Sequence, residues 1–341
     1  MAVIDHPVGA GMEPAVSNPP PIAEAVEVRK VFERRRGLFS APAAVYAVNG
    51  VSLRVAPGEV LGLVGESGCG KSTLGRLMLG LLSATSGTIR FDGHDITRLS
   101  AAAMKPLRRN MQVIFQDPLA SLNPYMTVEE ILTEPLKIHQ ALPKAEWSAR
   151  ARELLDLVGL PVQSLPRKPN QFSGGQQQRI MIARALALRP KFIVADEALS
   201  ALDVSIQAQI LNLFLDIQRD MGMSYLFISH NLVVVRHISH RIVVMYLGKV
   251  VETGPAGDVY GSPKHPYTLA LLSAVPLPNP RRERERHRIT LLGDPPSPSH
   301  IPSGCPFRTR CWKAVERCAA ETPELRPMER EGHYAACHFP E

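Results

Sequence analysis

Along most of this chain the apolar residues come in short runs, each followed by a polar or glycine-rich turn and then by apolar positions at helical spacing. In "EVLGLVGESGCGKSTLGRLMLGLL" the run Val60 to Val64 leads into a glycine-rich turn, after which Leu74, Leu77, Met78 and Leu81 recur at helical intervals. That pattern predicts strand, loop, helix. "KFIVADEALSALD" predicts a second strand, Phe192 to Ala195, ending in two carboxylates. "QFSGGQQQRIMIARALALRP" predicts a helix that opens at Ser173-Gly174-Gly175, runs through Ile180, Ile182, Ala183 and Leu186, and stops at Pro190. The apolar stretch Tyr225 to Val235 is broken by Ser229, His230 and Asn231, and Ile242 to Leu247 is strand-sized. No uninterrupted apolar run approaches the roughly 18 residues a membrane-spanning helix needs, so the chain is not expected to cross a bilayer by itself.

Composition changes this picture little. With 341 residues, 45% hydrophobic and 21% charged, the chain has room for one large domain with an appendage or two modest ones, and fits neither a disordered nor a fibrous class. The N-terminus carries Asp5 and Glu13 and has no basic start followed by an apolar stretch. It reads as a proline-rich, mostly disordered extension rather than a secretory signal. Without export, cysteines are expected to be metal ligands, catalytic groups or buried thiols rather than disulfide partners. The net charge of +7 would suit nucleic acid or an anionic membrane, but much of it sits in "RRERERHR", Arg281 to Arg288, which reads as a solvated linker.

The glycine-rich turn carries the first chemistry. Gly65, Gly70, Lys71 and Ser72 satisfy G-x-x-x-x-G-K-[ST], and the whole stretch is Gly65, Glu66, Ser67, Gly68, Cys69, Gly70, Lys71, Ser72 and Thr73. Its glycines let backbone N–H groups close around phosphate oxygens, Lys71 brings a charge to the β and γ phosphates, and the Ser72 hydroxyl can ligate Mg²⁺. Cys69, a thiol at a helix N-terminus, is expected to be acidified and open to alkylation. At the second strand's end, Asp196 is placed to hold Mg²⁺ through water and Glu197 to polarise the water that attacks a γ-phosphate. Ser173 and the two glycines after it leave unpaired N–H groups and a positive dipole end, a second phosphate grip.

Together these stretches resemble the ATP-binding subunit of an ABC transporter. "FSGGQ" at Phe172 to Gln176 resembles the family signature, and "DEALSALD" its Mg²⁺-site, glutamate and D-loop segment. Gln116 in "VIFQDP" resembles the Q-loop glutamine and His230 in "FISHN" the switch histidine. The motifs fall in the family's order over roughly residues 27 to 260. The resemblance implies a P-loop NTPase α/β core with an antiparallel β subdomain, a helical subdomain at about 118–185 and a C-terminal extension. The expected division is 1–24 extension, 25–260 ATPase domain and 261–341 appendage. It implies that two ATPase domains sandwich two ATP molecules, with Ser173, Gly174, Gly175 and Gln176 of one facing Gly65 to Thr73 of the other. Gln116 would touch Mg²⁺ and the attacking water, His230 the γ-phosphate, and Asp203 would link the two sites. Phe32 in "VRKVF" is expected to stack on adenine, with Tyr46 second, because Arg34 to Ala44 looks like an insertion that blurs the spacing. Ala198 stands where the family usually has proline and Asn231 where it usually has aspartate; neither replaces a group that performs chemistry.

"MQVIFQDPLASLNPYMTV", "SALDVSIQAQILNL", "HPYTLALLSAVPLPNP" and "GDPPSPSHIPSGCPFRTRC" narrow the resemblance to ATPase subunits of oligopeptide, dipeptide and nickel importers. Two permease subunits, a sister ATPase or a second copy, and indirectly an extracytoplasmic binding protein are the implied partners, at the cytoplasmic face of the membrane. Peptide is the expected cargo, with nickel or sugar as alternatives. A soluble ABC ATPase acting on nucleic acid is the rival, disfavoured by one phosphate loop, one signature and no long heptad run. A second rival makes the tail a metal or redox sensor. That tail holds Cys305, Cys311, Cys318 and Cys337, spaced unlike short C-x-x-C zinc patterns. In the resembling family some members bind a [4Fe–4S] cluster through cysteines in this extension; zinc, with His333 or His338, and metal-free thiols are the alternatives.

Overall fold

The computed structural model describes residues 19–34, 43–200, 202–275 and 288–341. Residues 1–18 of the expected extension, 35–42 of the expected insertion and all of the basic run except Arg288 lie outside the described residues. The strand β1 (Ala23–Arg34) begins two residues inside the stretch expected to be disordered, with Ala23 buried.

Two sheets organise the chain. The smaller is antiparallel: β1, β2 (Ala43–Val55), then β4 (Ser86–Phe91) and β5 (His94–Asp95), in the order β2-β1-β4-β5. The larger contains β3 (Val60–Val64), β6 (Met111–Ile114), β7 (Phe192–Asp196), β8 (Ser224–Ser229), β9 (Arg241–Tyr246), β10 (Lys249–Pro255), β11 (Arg326–Pro327) and β12 (Tyr334–Ala335). Its order is β11-β12-β10-β9-β3-β8-β7-β6, parallel from β9 to β6 and antiparallel beyond. Central strands of a parallel sheet are covered on both faces, which is why "VLGLV" and "FIVAD" are apolar almost throughout and wholly buried.

Strand alternation divides those residues between two cores. Leu61, Leu63, Phe192, Val194, Leu226 and Ile228 face α1 (Lys71–Met78) and the antiparallel sheet. Val60, Val64, Ile193, Ala195, Tyr225 and Phe227 join the core that runs into the helical region. That region comprises α3 (Pro118–Ser121), α4 (Val128–His139), α5 (Trp147–Leu157) and α6 (Gly174–Leu186), after α2 (Ala101–Arg108). The helix after the phosphate loop is shorter than its apolar spacing predicts: α1 ends at Met78, Gly80 takes a left-handed φ of 61°, and Leu81 is exposed. A glycine in that conformation just past the last turn ends a helix regardless of what apolar residue follows.

After α7 (Val204–Met221), α8 (Leu232–Ile238) and α9 (Ala256–Gly261), the chain enters α10 (Pro266–Ala274) and the cysteine-bearing tail. The tail is built into the large sheet. β12 pairs with β10 through Glu252↔Ala335 and Thr253↔Tyr334, so the β10 edge is covered. Glu252, fully buried, sits at that junction: its carboxylate accepts the Lys264 N–H at 2.8 Å and the His265 N–H at 2.9 Å. The Nε2 of His333 lies 2.7 Å from the same group. His265 in turn caps α10, its Nδ1 accepting the Tyr267 N–H at 3.0 Å.

Burial lowers the His265 pKa to about 4 against the opposing pull of Glu252. An unfolded histidine titrates near 6.5, so above that pH both states are neutral and no penalty arises. As pH falls from about 6.5 to 4 the unfolded chain takes up a proton that the folded one refuses, and stability is lost, about 3 kcal/mol in all. Urea unfolding at pH 7, 5.5 and 4 is expected to show that decline, and His265→Asn, which keeps a capping acceptor, is expected to flatten it.

Candidate functional site

The C-terminal ends of β3, β7 and β8 lie side by side, and the loops leaving them carry the candidate residues. Between β3 and α1 the phosphate loop turns tightly. Gly70, at φ 107°, could not be another residue: a Cβ there would lie 2.0 Å from the Ala47 carbonyl oxygen on β2. Lys71 folds back over the loop, its Nζ donating to the carbonyls of Gly65 at 2.8 Å and Glu66 at 2.9 Å. The Ser72 hydroxyl donates to Asp196 Oδ1 at 2.7 Å, joining the loop to the end of β7. Burial raises the Asp196 pKa, with the Ser72 hydrogen bond and the Arg76 and Lys71 charges opposing.

Glu197 adopts a left-handed φ of 49°, rare for a residue with a side chain. Its backbone N–H donates to Ile228 of β8 at 3.0 Å, and its Oε2 stands 3.7 Å from His230 Nδ1. Structure therefore gathers Lys71, Ser72, Asp196, Glu197 and His230 at one end of the sheet. Gln116 follows β6 and is exposed. Asn231, where the resembling family usually has aspartate, caps α8: its Oδ1 accepts from the Val233 and Val234 N–H groups. Ala198 is buried.

Ser173 caps α6 in a reciprocal box with Gln176, and Ser173, Gly174 and Gln176 are exposed. Gly175 permits a close approach, since a Cβ there would lie 2.7 Å from Ile206 of α7. Among the described residues no hydrogen bond links Ser173–Gln176 to residues 65–73 of the same chain. Asp203 caps α7 through Ile206 and is exposed. Phe32 and Tyr46 lie on adjacent strands, Phe32 opposite Val45 and Tyr46 opposite Val31, each about two-fifths exposed. Tyr46 neighbours Ala47, which touches the loop at Gly70, and its N–H donates to Pro298 of the tail at 3.0 Å.

The expectation for Cys69 is overturned. The thiol is buried, and burial raises its pKa, outweighing the Lys71 charge and the backbone N–H at the helix start. Two residues from the quoted tail stretches, neither expected at the ATP site, also reach the loop. Tyr267 accepts the Glu66 N–H at 2.8 Å, and Arg310 donates to Glu66 Oε2 at 2.8 Å.

Cys305, Cys311, Cys318 and Cys337, unlike Cys69, line one small cavity of about 20 Å³ with Phe307, Lys313 and His338. Burial raises the thiol pKa at Cys305 and Cys311 and pushes Cys337 up to about 11, so each thiolate there would need a cationic partner. Among the described residues no group of three or more His, Cys, Asp or Glu side chains stands ready to hold a metal ion. His333 does not serve the cavity: its Nε2 is engaged by Glu252. His338 lines it, with its Nε2 held by the Glu321 carbonyl at 3.0 Å.

A family model described as ABC transporter matches residues 48–200, and one described as Oligopeptide/dipeptide transporter, C-terminal region, matches residues 251–318. The oligopeptide transport ATP-binding protein OppF of Haemophilus influenzae is 51% identical over 309 residues, covering 90% of this chain and 93% of its own. The oligopeptide transport ATP-binding protein AppF of Bacillus subtilis is 49% identical over 325 residues, covering 95% and 98%. Among solved structures, the dimeric ATP-binding cassette MJ0796 in a post-hydrolysis state with ADP and Pi is 30% identical, with a TM-score of 0.61 over 69% of this chain and 98% of its own. Among the described residues no helix is long and apolar enough to cross a membrane.

Buried and raised in pKa, Cys69 is expected to resist iodoacetamide at pH 7.5 in the folded protein and to react fully in denaturant. Peptide mass mapping of both samples checks this, and modification of Cys69 before unfolding would contradict the burial argument.

Proposed function

The chain belongs to the ABC transporter family, among its oligopeptide transport ATP-binding proteins, and from that premise we propose that it hydrolyses ATP to drive import of oligopeptides or dipeptides. Energy would pass to two permease subunits at the cytoplasmic face of the membrane, in an assembly with a sister ATPase or a second copy. What carries the reading is one arrangement: Lys71, Ser72, Asp196, Glu197 and His230 converge at the sheet end in a chain whose tail matches the peptide-transporter region. An importer of nickel or sugar shares this ATPase type, and cargo selection belongs to the partners.

In this reading the loop's N–H groups and Lys71 hold the β and γ phosphates. Ser72, Asp196 and Gln116 form the Mg²⁺ side, where the ion supplies charge to phosphate oxygens. Glu197 accepts a proton from the attacking water, with His230 beside it to contact the γ-phosphate. Phe32 stacks on adenine, with Tyr46 the alternative. The exposed cap at Ser173–Gln176, free of its own loop, suits a nucleotide held by the facing ATPase domain, and Asp203 lies where the two would meet. ATP shifts the assembly because it binds the closed pair better than the open one.

The four thiols around one cavity support a second element of the proposal, a [4Fe–4S] cluster held by Cys305, Cys311, Cys318 and Cys337. Burial raises the thiol pKa at Cys305, Cys311 and Cys337, so thiolates gathered there call for a strongly cationic occupant.

Two experiments test these readings. Glu197→Gln is expected to lower hydrolysis at least about a hundredfold while leaving ATP affinity within about twofold; an unchanged rate would remove Glu197 from the chemistry. Anaerobically purified protein is expected to contain about four iron and four sulfide per chain, and colourless protein lacking both would exclude the cluster.

A further inference from the structure

Glu66, the second residue of the phosphate loop, is gripped from three sides. Its N–H donates to the Tyr267 hydroxyl at 2.8 Å, its carbonyl accepts from Lys71 Nζ at 2.9 Å, and its carboxylate pairs with Arg310 Nη1 at 2.8 Å. Two of these partners belong to the appendage, 201 and 244 residues away along the chain. We propose that Tyr267 and Arg310 are positioning residues of the ATP site, which hold the phosphate loop in a binding-ready shape and cancel the charge of Glu66.

Both partners are themselves held. Tyr267 is fully buried and packs against Tyr246 of β9 at 4.7 Å between ring centroids and against Phe307 of the tail at 5.4 Å. Phe307 meets Tyr246 edge-on at 5.3 Å, closing a three-ring cluster between sheet, α10 and tail. Arg310 leaves the turn just after that ring, where its N–H donates to the Phe307 carbonyl at 3.0 Å. The Cys305 N–H, donating to the Cys318 carbonyl at 2.8 Å, ties the two arms of this loop together. The Arg310 side chain is only 8% exposed, so its guanidinium is not free to leave Glu66 for solvent.

Two physical effects follow. A loop already ordered loses less freedom when triphosphate binds, so more of the contact energy appears as affinity. A carboxylate in a phosphate-binding loop repels its ligand, and a neighbouring guanidinium removes that repulsion. The two clamps act on binding rather than on the hydrolytic step, because among the described residues their polar contacts with the site go to Glu66 and none goes to Glu197 or His230.

The test uses the full-length chain, with MgATP binding measured by calorimetry and turnover at saturating ATP. Arg310→Gln is expected to raise the Kd about tenfold and change saturated turnover less than about twofold, and Arg310→Lys to recover most of the affinity. Adding Glu66→Gln to Arg310→Gln is expected to restore binding to within about threefold of wild type, since the unpaired negative charge is gone. Tyr267→Phe, which deletes one oxygen without changing shape, is expected to raise the Kd about threefold. It carries the test if Arg310→Gln does not fold. The proposal is overturned if these single variants keep wild-type affinity, or if the double variant binds no better than Arg310→Gln. The inference rests on the loop's ATP-binding role: wild-type protein that binds no MgATP removes that role, whereas wild-type binding with unaffected variants removes only the clamp.

Discussion

A phosphate loop must leave its own N–H groups free for the ligand, so its shape has to be imposed by neighbours rather than by regular secondary structure. Here the neighbours follow from strand order. Because β9 lies directly beside β3, the turn after β9 comes up next to the loop, and the Gly248 N–H donates to the Cys69 carbonyl at 2.9 Å. A Cβ at Gly65 would lie 2.3 Å from the Met245 carbonyl, so the loop rests on that strand end without a gap. On its other side β2 of the antiparallel sheet meets Gly70 through the Ala47 carbonyl. The same two seats press the β9–β10 turn against β2, where the Asn49 N–H donates to the Gly248 carbonyl at 2.8 Å. The antiparallel sheet is therefore a wall of the site as well as a cover for one face of the core.

The third seat is the appendage, and its attachment explains why it can act on the loop. Strand β10 would otherwise end the sheet with an open edge, which exposes unpaired backbone groups. β12 occupies that edge, and the buried Glu252 collects two backbone N–H groups at the start of α10 and the His333 ring. Removing any one partner would strand a buried charge or donor, so these contacts hold or fail together. The three-ring cluster of Tyr246, Tyr267 and Phe307 then carries this attachment upward to Glu66. An appendage joined in this way moves with the sheet rather than hanging from it.

Sequence reasoning captures what is local. Val60 to Val64 is legible because a strand covered on both faces must be apolar, and the helix after Ser173 because a serine and two glycines open a stretch of helical spacing that Pro190 stops. It fails where burial or distance decides. Cys69 looks acidic by its place before a helix, yet its surroundings are apolar enough to reverse the sign. Leu81 keeps the helical spacing of α1 but lies beyond the glycine that ends it. The cysteine spacing matches no short metal pattern because the tail's turns, not its intervals, bring four thiols around one cavity. Tyr267 and Arg310 carry no sign of their target, since only the completed sheet places them beside a loop more than 200 residues upstream.

Glu197 is set differently from the rest of the site. A non-glycine residue at φ 49° stores strain that persists only if its flanks overdetermine it. At Glu197 they do: Asp196 ends a buried strand and is held by Ser72, the Glu197 N–H is bonded to β8, and its carbonyl accepts from Ser200 at both N–H and hydroxyl. The carboxylate is thereby presented toward His230 from a fixed backbone. Gln116, Ser173, Gly174, Gln176 and Asp203 are exposed instead, and the hydrogen bonds of the signature cap and of Asp203 are to their own helix starts. Val204, beside Asp203, leaves an apolar side chain 82% exposed. Rigidity at the glutamate and openness at the signature divide the labour. Glu197 and His230 are set by contacts within one chain, while the signature cap and Asp203 spend their hydrogen bonds on their own helices and keep an exposed face.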